Sequence, residues 1–140
     1  MVQWNMKQLQ AMLAAAVIFL SCRDMVQAQD FESTPPVVVK CSPKAGSDNV
    51  APGVVEIRVT FSKPMTDQSW SWSSAWKDSV PKPEGKPRYS ADRKTCILKV
   101  KLEPNTTYGY WLNSEKFHGF KDEKGHSAVP YLLVFKTKHR

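Results

Sequence analysis

The 140-residue chain lacks most of the patterns that carry chemistry. It has three histidines, and His118, His126 and His139 all fall late. The serines around Trp70 alternate with no histidine nearby, so no nucleophile has a visible base. Carboxylates never alternate at calcium-loop spacing, and Asp122-Glu123 stands in a Lys- and Gly-containing stretch that reads as a hairpin turn. The expectation is therefore a protein without catalytic residues, cofactor or metal. No run of Lys or Arg occurs either, although 20 basic against 13 acidic side chains give a net charge of +7. Cations scattered from Lys40 to Arg140 imply solvated faces rather than a nucleic-acid groove.

Long apolar runs are also missing. The longest, residues 11–20, falls short of the roughly 20 residues needed to cross a bilayer. Preceded by Lys7 and followed by Val26-Gln27-Ala28, it reads as a signal peptide cut after Ala28, with a mature chain starting at Gln29. The alternative is a lipoprotein box ending in Cys22, which would hold the protein at a membrane. Removing Lys7, Arg23 and Asp24 takes one charge from +7 and leaves +6. What remains suffices for one small core and one domain, expected to be a monomer with no transmembrane segment.

Along the mature chain, residues 29–36 form a polar, extended lead-in, and a domain over residues 37–138 follows. Val37, Val39 and Cys41 share one face of a first strand, which ends in the turn chemistry of residues 42–49. Val55, Ile57, Val59 and Phe61 alternate with Glu56, Arg58 and Thr60 in a half-buried second strand. Trp70, Trp72 and Trp76 mark one face of a third, before a Pro- and Lys-rich loop over residues 78–87. Three more segments follow: Arg88-Tyr89-Ser90, the run Cys96, Leu98, Val100, Leu102, and the run Tyr108, Tyr110, Leu112. Residues 131–137 close the series. About seven strands and no helix predict an all-β, Ig-like Greek-key sandwich. Within it, residues 102–108 have the spacing of a tyrosine corner, with Tyr108 bonding back to the preceding backbone.

Five segments in order, Val38 to Gly46, Asn49 to Pro52, Ile57 to Met65, Leu102 to Tyr108 and Lys121 to Gly125, resemble the bacterial Ig-like domain of the surface-layer (SbsA) type. The resemblance covers about residues 36–138. It implies a non-catalytic sandwich of an exported or surface protein, where such domains stand in tandem to space, display or help bind. A single domain here leaves interaction or support at the cell envelope or outside the cell as the expected role, with an envelope protein or polysaccharide as partner. The opening half also resembles periplasmic copper-resistance proteins, which implies copper held by an N-terminal His with His, Met or Asp. Gln29 stands at the expected terminus instead, and Met65 is the single Met after cleavage.

Aromatic side chains supply the candidate contacts. Trp70, Trp72, Trp76 and Trp111 suit a sugar-stacking platform, while Trp70 and Trp72 two apart equally suit a core-facing pair. Trp111 lies out of phase with Tyr110 and Leu112 and is expected to face outward. Phe117, His118 and Phe120 fall in a loop at one end of the sandwich, where they could contact a ligand or cap the core. Cys41 and Cys96 form a candidate disulfide: export favours a bridge, and an Ig-like strand order sets them too far apart. Asn105-Thr106-Thr107 matches a glycosylation sequon and reads here as the turn before Tyr108.

Overall fold

The computed structural model describes residues 29–139. The export signal and Cys22 lie outside the described residues. After a 3-10 turn at Phe31–Ser33 come eight strands: β1 Val38–Ser42, β2 Gly53–Phe61, β3 Trp72–Ser74, β4 Lys82–Pro83, β5 Arg88–Tyr89, β6 Thr95–Leu102, β7 Thr107–Leu112 and β8 Tyr131–Lys136. They form an all-β sandwich of two antiparallel sheets. One has the order β1-β2-β6, with β4 and β5 sharing the far edge of β6, and the other has the order β3-β7-β8. β4 lies inside the stretch expected to be a loop, where Lys82 and Pro83 pair with Lys101 and Val100.

The core follows the period-2 patterns. Ile57, Val59 and Phe61 of β2 and Cys96, Leu98, Val100 and Leu102 of β6 meet Tyr108, Tyr110, Leu112, Leu133 and Phe135 from the other sheet. At roughly 2 kcal/mol per fully buried large apolar side chain, this layer is the main source of stability. Tyr108 sits in it with its hydroxyl accepting the Glu103 N–H at 2.8 Å, the bond of a tyrosine corner. Asn113, fully buried, bridges the loop after β7: Nδ2 donates to the carbonyls of Phe120 and Ala128, and Oδ1 accepts the Phe120 N–H. Sequence reasoning gave Asn113 no part, because its partners lie on two separate loops.

Two expectations for the N-terminal region are corrected. In β1 the register slips between Val38 and Lys40, so one residue is left over opposite β2. Val38 and Cys41 therefore pack on the core, while Val37 and Val39 are exposed. Residues 31–36 are not a detached lead-in. Pro36 is buried and its carbonyl accepts the Val129 N–H, and Lys63 reaches back to the carbonyls of Glu32 and Thr34. Past β1 the chain changes sheets, and residues 46–50 run along β8 through four backbone bonds and a parallel bridge between Val50 and Thr137.

Candidate functional site

The outer face of the three-stranded sheet collects apolar side chains where a solvated strand normally carries polar ones. Trp111 of β7 pairs with Leu132 of β8, and Gly109 pairs with Val134. Trp76 is not on the face of Trp70 and Trp72, as its spacing suggested. The strand stops at Ser74, and the chain turns so that the Trp76 indole lies over Gly109, where any side chain would overlap the ring. Ser79, fully buried, clips this turn: its Oγ accepts the N–H groups of Ala75 and Trp76 and donates to the Gly109 carbonyl. Trp76 stays 43% exposed and Leu132 41%, so the patch is open to water. Trp111 is half-buried, beside a hollow of about 480 Å³ lined by Ser114, Glu115, Lys116 and Pro130.

A second surface opens where the two sheets part, between β3 and the chain around β4. Trp70, Trp72, Phe117, Tyr110 and several prolines line a cleft of about 650 Å³ there, with Ser71, Ser73 and Ser74 supplying hydroxyls. Trp70 and Trp72 are half-buried, intermediate between the platform and core readings. The Trp72 ring stands edge-on to Tyr110 at 5.2 Å and to Phe120 at 5.6 Å, geometry that fixes it firmly. Its Nε1 meets no oxygen or nitrogen and is turned toward the Cys96 thiol. His118 lines neither hollow but stands between them: it is exposed, follows Phe117 of the cleft, and has Nε2 3.1 Å from the carbonyl oxygen of Glu115, which lines the hollow beside Trp111.

Cys41 and Cys96 are free thiols. Cys41 and Cys96 both register opposite Val59, one from each side, so a whole strand stands between them. Two strand spacings, about 9.5 Å, exceed the reach of a disulfide, which corrects the bridged alternative. Burial pushes the Cys96 thiol up to about 12, with the Trp72 N–H partly opposing it, and burial raises Cys41 against a hydrogen bond from Tyr131.

Sequence reasoning missed a buried ion pair. Lys63 and Asp122 are each 4% exposed, with Nζ 3.6 Å from Oδ2. The Phe31 ring covers the ammonium at 5.2 Å. Asp122 Oδ1 accepts the N–H groups of Lys124 and His126, and Oδ2 lies 2.9 Å from His126 Nδ1. Burial alone would raise this carboxyl, but the His126 hydrogen bonds outweigh it and hold Asp122 below the usual carboxylate range. A turn with two acids gave no sequence signal, because its partner Lys63 lies far away in the chain. Among the described residues, no three His, Cys, Asp or Glu side chains converge. Met65, the other copper-type donor, is fully buried.

A family model described as a bacterial Ig-like domain matches residues 32–137. Among solved structures, the chain is similar to CopC from Methylosinus trichosporium OB3b, with 17% identity, a TM-score of 0.53, and coverage of 75% of this chain and 95% of that one. At that identity the likeness concerns the fold. No curated protein matches in sequence.

Proposed function

The chain belongs to the bacterial Ig-like domain family, and on that premise we propose that it acts without catalysis, as an exported interaction or support module at the cell envelope or outside the cell. The ordered motifs from Val38 to Gly125 support its reading as the surface-layer, SbsA type. Export rests on the signal read in residues 1–28, with Cys22 as the anchoring alternative. One observation carries the reading: Trp76, Trp111, Leu132 and Val134 together make an apolar, solvent-facing patch on a sheet that needs none for its own core. Rings with one wet side and little side-chain entropy are the side chains that concentrate binding energy at protein contacts.

The test is residue-level footprinting in the envelope fraction of the producing cells. Protection of Trp76, Trp111 and Leu132 relative to the free protein supports the contact. Unchanged labelling of that face on bound protein removes it.

The cleft of Trp70, Trp72 and Phe117 favours a second reading, a neutral glycan stacked on aromatic edges and hydrogen-bonded to the β3 serines. Oligosaccharide titration followed by Trp fluorescence checks it, with Trp72→Phe weakening any response. Copper, the third reading, finds a poor donor supply among the described residues, since His126 is committed to Asp122 and Met65 is buried.

A further inference from the structure

The opposite outer face has a different chemistry. Strand alternation turns Arg58 of β2, Lys99 and Lys101 of β6, Lys40 of β1, Arg88 of β5 and Lys82 of β4 to the same side of the larger sheet. Cations that look scattered in the sequence are gathered by register: Lys82 lies beside Lys101, and Arg58 and Arg88 flank Ile97. Ile97 points outward yet is only 7% exposed, as expected where two arginine stems lie over it. Of the two acids on this face, Glu56 and Glu84, Glu56 is the ion-paired one. It bonds both Arg58 and Arg88, at 2.6 and 2.7 Å, and the Arg58 hydrogen bond holds its carboxyl below the usual range. Glu84 stands beside Lys99, its N–H bonded to the Lys99 carbonyl. Among the described residues Lys40, Lys82 and Lys101 are in no ion pair, and Lys99 stands opposite Glu56, near enough to help lower its carboxyl but beyond ion-pair distance.

At one end of this field Lys40 and Arg58 share a hollow of about 390 Å³ with the hydroxyls of Ser42, Thr60 and Thr95. No carboxylate lines the hollow itself, although the Arg58 guanidinium is shared with Glu56 beside it and the Thr60 and Thr95 hydroxyls bond each other at 2.9 Å; Lys40, the free side of Arg58 and the Ser42 hydroxyl make a seat for one anionic group. From the Lys40 row, opposite Thr60, to the Lys101 row, opposite Val54, the field runs six residues along β2, or about 20 Å. That length spans several repeat units of a polymer.

We propose that the outer face of the five-stranded sheet docks an acidic polysaccharide, with one acid group seated between Lys40 and Arg58 and the following groups along Lys99, Lys101 and Lys82. The chemistry of the face selects this class among polyanions. It carries no aromatic ring on which bases could stack, as single-stranded nucleic acid requires. It also has no apolar wedge to enter a bilayer: its exposed large apolar side chains, Val39 and Val54, are short and stand on rows at opposite ends of the field. What it offers instead is charge interleaved with hydroxyls, a match for sugar acids. This docking is independent of the apolar patch on the other sheet.

The experiment measures binding of the purified full chain to a polyuronate, with neutral dextran, anionic phospholipid vesicles and single-stranded DNA as comparison probes. Two triple variants carry the same charge change. One, Lys82→Gln with Lys99→Gln and Lys101→Gln, lies on the face, and the other, Lys77→Gln with Lys136→Gln and Lys138→Gln, lies off it. The expected result is salt-sensitive polyuronate binding that the face variant weakens at least tenfold and the control less than twofold. Equal losses would reduce the effect to net charge and overturn the proposal. Tighter binding to vesicles or DNA, or no polyuronate binding at low salt, would also overturn it. Should the face triple fail to fold, Lys99→Gln alone must weaken binding more than Lys136→Gln alone.

Discussion

The Ser79 hydroxyl donates to the Gly109 carbonyl at 2.7 Å, and that bond locks the turn holding the Trp76 indole over β7. Because Ser79 also accepts the N–H groups of Ala75 and Trp76, one buried oxygen satisfies three backbone groups. Ser79→Ala is expected to cost about 1–3 kcal/mol, the penalty for polar groups left unpaired. It should also red-shift the Trp emission and raise acrylamide quenching as the ring swings out. An unchanged spectrum in a destabilised variant would show that the clip does not position Trp76.

Breaking the Lys63–Asp122 pair leaves a buried charge without its counter-ion. Asp122→Asn is expected to lower the unfolding free energy by about 3–5 kcal/mol at pH 7, and replacing both residues with apolar ones should recover part of the loss. The pH dependence has a definite sign. A carboxyl held below its unfolded value of about 3.9 contributes stability above that pH and loses it as pH falls through the folded value. The gap between native protein and Asp122→Asn, measured by denaturant titration, should therefore shrink between about pH 4 and the lower folded value. A gap independent of pH would contradict the ionised pair.

The thiols should be present and slow. Unreduced protein, once denatured, should titrate one thiol each for Cys41 and Cys96. In the native state at pH 8, Cys96 should stay silent to a thiol reagent and Cys41 react sluggishly, since burial suppresses both thiolates. Failure to release either thiol on denaturation would restore the bridge.

Two glycines should respond differently to alanine. At Gly119 the added methyl would overlap the Trp70 carbonyl, which is backbone and cannot move alone, so roughly 3 kcal/mol is expected. At Gly109 the obstacle is the rim of the Trp76 ring, a side chain that can tilt away, and about 1 kcal/mol is expected together with a changed Trp spectrum. Thermal or urea midpoints for the two variants give the comparison directly.

How much of this was legible in the sequence depends on the range of the interaction that decides it. β2 was readable because Val55 to Phe61 alternate without interruption. The slip in β1 was hidden: an extra residue between Val38 and Lys40 leaves the composition unchanged while moving Val39 to the solvent side. Trp111 faces outward by simple phase, whereas Trp76 leaves the face of Trp72 because of a hydroxyl on Ser79 that no periodicity encodes. Lys63 and Asp122 carry no mutual signal across more than fifty residues. The cationic field was invisible for the same reason, since β4, β5, β1 and β6 contribute to it from separate stretches.

The divided edge of β6 has a consequence for how the molecule behaves in crowded surroundings. β4 covers that edge near Lys101 and β5 near Ile97, each only two residues long, with Pro83 and Pro87 in or beside the covering segments. An incoming strand would find neither a bare ladder nor a continuous one to extend, and proline would refuse it a donor. Growth into fibrils by edge addition is thereby discouraged on this side, without a chaperone or a partner to guard it.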